Sequence, residues 1–75
     1  MTDERQSSGE TAWSPEPLDL EIIRLLAAGL TTDVVARRVG ISERTVRRRL
    51  RALADDIGVD SSIEVVVHAV RHRVI

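Results

Sequence analysis

Glycine spacing limits what this chain can fold into more than any other feature. Gly29, Gly40 and Gly58 close three short segments whose apolar residues recur at helical intervals, leaving room for brief helices and tight turns only. Ahead of Gly29, Leu18, Ile22, Leu25 and Leu26 form one apolar stripe, introduced by Pro15 and Pro17. A proline is tolerated in a first helical turn because its missing amide would be unpaired there anyway. Between Gly29 and Gly40 the spacing predicts a helix of about two turns, capped by Thr31, with Val35, Ala36 and Val39 inward. Ser42 caps a third helix over 43–57, whose inward face is Val46, Leu50, Leu53 and Ile57.

After Gly58, Ser61 and Glu64 stand at capping-box spacing, and Ile63, Val66, Val67, Val70 and Val74 are expected to form the core stripe of a fourth helix. The run Ile-Glu-Val-Val-Val is β-branched and by propensity alone suits a strand. The cap, the 3.6-residue period and the lack of a partner strand decide for helix. The expected fold is all-α: a four-helix domain over residues 15–75 behind a flexible, acidic tail at 1–14.

Length and composition narrow the function. With 75 residues there is room for one small domain, and the initial Met leads to the expectation that this is a complete, stand-alone chain. The absence of Cys removes disulfides and thiolate metal sites, fits a reducing interior, and points to a cytoplasmic protein held together by its packed core. No apolar run approaches a membrane span, and the amino terminus is no targeting signal. Trp13 is the single aromatic, so stacking platforms for single-stranded nucleic acid are missing. No carboxylate pair, activated nucleophile, phosphate loop or metal cluster is evident, so neither an enzyme, a cofactor nor a small-molecule ligand is expected.

The segment ARRVGISERTVRRRL, residues 36–50, has the logic of a helix-turn-helix. Gly40, lacking a Cβ, can take a left-handed conformation, which lets the next helix leave steeply while Ile41 returns to the core. With Val46 at zero on a helical wheel, Arg44, Arg48 and Arg51 fall between about 140 and 200 degrees, opposite the core stripe. Arg47 and Arg49 lie on the flanks, at about 100 and 300 degrees. A charged outer helix face is most often solvated surface. Here residues 37–51 hold seven Arg and one acid, Glu43, a net charge of +6, and such repulsion is relieved best by a polyanion. Arginine can also bond a guanine edge or a phosphate with two parallel hydrogen bonds.

From about Pro17 to Ile75 the chain resembles the LuxR-type, or GerE-type, DNA-binding domain. Glu21, Leu25, Leu26, Gly29, Leu30, Ala36, Gly40, Ser42, Thr45, Val46, Leu50, Gly58 and Val59 carry the likeness. The resemblance implies a transcription regulator that binds duplex DNA as a homodimer, with the third helix in the major groove and the fourth pairing the subunits. It places Arg44, Arg47 and Arg48 where they reach bases or nearby phosphates, Val46 against a thymine methyl, and Thr32, Thr45 and Arg49 on the sugar-phosphate backbone; Arg51, on the same outward ridge, is expected in the major groove with them. Arg49 stands where the family often has His, Asp56 and Ser62 where it usually has a basic residue, and Val34 where a capping-box Glu is usual.

On the fourth helix, Val65 and Ala69 are expected to form an outward strip bordered by His68 and His72, small enough for two copies to approach closely. His68 and His72 with Glu64 stand at metal-compatible spacings, but a polar edge is the simpler reading and no metal is expected. A second hypothesis makes the chain a helix-turn-helix-derived interaction module that binds another transcription regulator, with Asp55, Asp56 and the acidic tail as its working surface. The overall charge of -1 conceals a split, -5 over residues 1–21 and +4 over 22–75. The tail is therefore expected to compete with phosphate for the arginines.

Overall fold

The structure is a computed structural model, and it describes residues 13–75. These form four helices, α1 (Pro17–Ala27), α2 (Thr32–Val39), α3 (Glu43–Ile57) and α4 (Ser62–Arg71), with no strand among the described residues. None of these helices is long and apolar enough to cross a membrane. Residues 1–12 of the expected acidic tail lie outside the described residues.

The starts of α3 and α4 follow from their caps. Ser42 Oγ accepts the Thr45 amide at 3.1 Å. At Ser61 the reciprocal box is complete, the serine oxygen accepting the Glu64 amide at 3.3 Å while Glu64 Oε1 accepts the Ser61 amide at 3.1 Å. This box starts a helix in the β-branched segment by satisfying two amides that no helical carbonyl reaches. Thr31 occupies the cap position of α2, but its hydroxyl donates to the Asp33 carboxylate and makes no bond to a backbone amide.

All four helices end alike. The amide of the second or third residue beyond the helix reaches back to a carbonyl five positions earlier: Leu30 to Leu25 at 3.2 Å, Ile41 to Ala36 at 3.1 Å, Val59 to Ala54 at 2.9 Å and Val74 to Ala69 at 2.8 Å. This closure needs a left-handed residue just before the donor. Gly40 supplies it at φ +79°, and Arg73 supplies it at +56° with a side chain that resists the conformation. Leu30, Ile41, Val59 and Val74 all pack against the core.

That core is built on Ile22, Ile23, Val35, Val46 and Val65, all fully buried, with Leu50, Leu53, Ala54 and Ala69 around them. Burying each such aliphatic side chain contributes about 1.5 to 3 kcal/mol. α2 packs on α3, α4 on α3, and α1 on both α2 and α4.

The rotation of α4 corrects the expectation. Val65 and Ala69 are fully buried, whereas Ile63, Val67 and Val70 are 67%, 48% and 54% exposed. Val65 and Ala69 are thus core residues and cannot form the outward strip of a dimer face, while His68 beside them is half-buried and His72 is exposed. The reason lies at the end of the helix. Val74 counts with Val67 and Val70 on an uninterrupted wheel, but the helix stops at Arg71 and the left-handed Arg73 folds Val74 back onto the core from outside that stripe. Trp13, expected in the tail, also packs here. Its ring meets His68 edge-on at 4.9 Å, and His72 stacks on His68 at 4.2 Å.

Candidate nucleic-acid interface

The α2–turn–α3 unit presents its basic residues outward because its inner side is fully used. Val46, Leu50 and Leu53 bury one face of α3, which leaves Arg44, Arg47, Arg48 and Arg51 exposed on the other. Val46 itself has no exposed surface, so the expected contact with a thymine methyl is corrected: this side chain is a core residue. The wheel already set Val46 at the centre of the buried stripe, and a position at 0 % exposure cannot also reach a base.

The arginines differ in what they touch. Arg47 donates through Nη2 to Glu43 Oε2 at 2.7 Å, and the same oxygen accepts the Thr32 hydroxyl at 2.8 Å. One carboxylate oxygen therefore ties the first residue of α2 to the second turn of α3. The Thr32 hydroxyl, and after it Arg47, hold the Glu43 carboxyl below its ordinary pKa, so it is ionised at neutral pH. Arg51 lies 3.8 Å from Asp55, and Arg37 lies 3.7 Å from Asp33, whose carboxyl is lowered chiefly by the Thr31 hydroxyl.

Arg49 behaves differently again. Its Nη1 donates to Asp19 at 2.9 Å and lies 3.7 Å from Glu16, bridging α3 to the start of α1. The hydrogen bond to Asp19 raises its pKa above the ordinary arginine value. Asp19 is the one buried charged residue among those described, and Arg49 answers it. No pattern along the sequence pairs residues thirty apart, so this strut was invisible there. The pairs at four-residue spacing, Asp33–Arg37, Glu43–Arg47 and Arg51–Asp55, carried a legible signal in that spacing alone.

Arg38, Arg44 and Arg48 make no ion pair among the described residues. Thr45 is half-buried at the start of α3, its hydroxyl accepting from Ser42 Oγ at 2.9 Å. On the Arg47 flank an open cleft of about 310 Å³ separates Thr32, Arg47 and Arg51 from Ser61 and Ser62 at the start of α4. Asp55 and Asp56 are exposed in the last turn of α3, so its outer side is basic at the amino end and acidic at the carboxyl end.

Residues 20–61 match the sequence profile of a family described as a homeodomain-like domain, a span from α1 through α3 that stops before α4. The Bialaphos biosynthetic pathway regulatory protein of Streptomyces hygroscopicus is 38% identical over 68 residues, covering 88% of this chain and 27% of that protein. The chain thus spans about a quarter of the length of the curated relative it matches. No solved structure matches the chain significantly.

Proposed function

The chain belongs to the homeodomain-like domain family, and from that premise we propose that it is a sequence-specific regulator of transcription, binding duplex DNA, of the LuxR or GerE type. One observation carries the reading: a serine-capped helix turns an uninterrupted row of exposed arginines away from a well-filled core. In the major groove that row, Arg44, Arg47, Arg48 and Arg51, faces the DNA, while Thr32, Thr45 and the outer nitrogens of Arg49 line the phosphate walls. Phosphate relieves the repulsion among the guanidinium groups, so binding and the stability of α3 rise together.

Two copies acting together extend this proposal. The stripe Ile63, Val67 and Val70 on α4 is the apolar surface that a second copy would cover, and a two-fold homodimer prefers inverted half-sites whose centres lie about 34 Å apart. Such a regulator works in the cytoplasm, without cofactor or catalysis. Similarity to the Bialaphos biosynthetic pathway regulatory protein supports the same class.

The acidic last turn of α3 favours a second reading, an interaction module for another regulator. A fluorescence-anisotropy titration of labelled duplex at several salt concentrations separates the two. DNA binding predicts that log affinity falls linearly with log salt, with a slope of about -0.9 per phosphate engaged. Absence of measurable binding at low salt sinks the DNA reading and leaves the module.

A further inference from the structure

We infer that Arg44 and Arg48 are the base-reading pair of α3, that each takes one guanine, and that Arg47 and Arg51 serve as groove-wall contacts held by their carboxylates. The inference rests on the DNA-binding reading and deepens it by stating the sequence class of the half-site. Its ground is the uneven distribution of acids around the five arginines of the helix.

Three of the five already have a carboxylate: Arg47 has Glu43, Arg49 has Asp19 and Glu16, and Arg51 has Asp55. Arg44 and Arg48 have none among the described residues, although they stand at i, i+4 and repel each other. Reading guanine takes two N–H groups on one edge of the guanidinium, matched to O6 and N7. On Arg47 the Nη2 group is occupied by Glu43 at 2.7 Å, and on Arg51 the Nε group lies 3.8 Å from Asp55, so each has one N–H edge turned to a carboxylate and the other left for a phosphate. Among the described residues nothing engages either edge of Arg44 or Arg48.

Position agrees with pairing. Arg44 and Arg48 sit at about 160 and 200 degrees from Val46, centred on the direction opposite the core, whereas Arg47 stands on the flank at about 100 degrees and Arg51, at about 140, is set apart by its carboxylate and its place further along the helix. Arg44 also lies in the first turn of α3, the end of a recognition helix that meets base edges. Four residues of helix advance about 6 Å, against ~3.4 Å per base pair along the duplex. The two guanines therefore fall about two base steps apart in each half-site. Arg38, the remaining arginine of the unit without a carboxylate, is on α2, which crosses the phosphate backbone in this arrangement, and so reads no base.

Selection of duplexes from a random pool, run on the full 75-residue chain and on Arg44→Ala, Arg47→Ala, Arg48→Ala and Arg51→Ala, tests this. All four side chains are exposed, and equal melting temperatures check that the variants fold. The wild type is expected to return two guanine positions per half-site. Arg44→Ala loses preference at one of them and Arg48→Ala at the other, each by about 5- to 150-fold. Arg47→Ala and Arg51→Ala weaken all sequences alike and keep the motif. N7-methylation of either guanine should abolish wild-type binding and leave the matching Ala variant indifferent. A motif that loses a guanine with Arg47→Ala or Arg51→Ala, or that contains no guanine pair, overturns this inference alone. A pool that returns no motif for the wild type overturns the sequence-specific DNA reading along with it.

Discussion

The outer faces of α3 and α4 carry opposite chemistry. α3 turns out a row of arginines partly answered by acids, and α4 turns out Ile63, Val67 and Val70 with nothing among the described residues over them. The difference teaches how rotation is encoded. On α3 every large aliphatic side chain lies on one side, so only one rotation avoids burying charge. α4 is apolar over more than half its circumference, from Val65 and Ala69 round to Val70, Ile63 and Val67, so more than one rotation buries apolar surface, and the chain ends decide among them. Val59 before the helix and Val74 after it both pack on the core and hold α4 with Val65 and Ala69 inward.

The largest effect expected from breaking this contrast is at Val65. Val65→Ala should lower the unfolding free energy by about 2 kcal/mol, and Val67→Ala by less than about 0.5 kcal/mol, both read by urea denaturation. Comparable losses at the two positions would mean the wrong face of α4 has been assigned to the core. In sedimentation, Val67→Arg should convert a dimer to a monomer, with a melting temperature that no longer depends on protein concentration; a variant that stays dimeric removes α4 from the interface.

The helix ends give the next effect. Arg73→Gly should stabilise the chain by about 1 kcal/mol, because glycine takes the left-handed conformation at little cost, and Gly40→Ala should destabilise it by a similar amount. A Cβ at Gly40 meets no atom within 4 Å, so any loss there is backbone strain and not a clash.

Acidity gives the smallest effect and sharpens the inner side of α4. Burial, and after it the neighbouring His72, holds His68 below the ordinary histidine pKa. The unfolded chain then binds the proton more readily. Stability is therefore full above the unfolded value, about 6.5, and declines as pH falls through the folded value. Fluorescence of Trp13, the single tryptophan, can follow this because its ring lies against His68. Stability that rises between neutral pH and pH 5 would contradict the sign.

Much of the fold was legible because capping and termination are local. Ser42, Ser61 with Glu64, and the three glycines stand where the helices begin and end. The arginine row was legible for the same reason, being set by spacing along one helix. What escaped came from contacts across the chain: Asp19 under Arg49, Trp13 over His68, and the return of Val74. Val46 escaped otherwise, because its burial was readable and the resemblance to a DNA-binding family suggested a second use that burial forbids.

If Arg49 meets phosphate as proposed, its strut to Asp19 would make α1 responsive to DNA at α3. Any phosphate that draws on that guanidinium draws it away from Asp19, the buried anion that fastens α1 to α3. Occupancy of the groove would then be felt as a loosening on the far side, visible as faster hydrogen exchange at the amides of α1 while those of α3 slow down. One side chain would so carry news of the operator through the thickness of the protein.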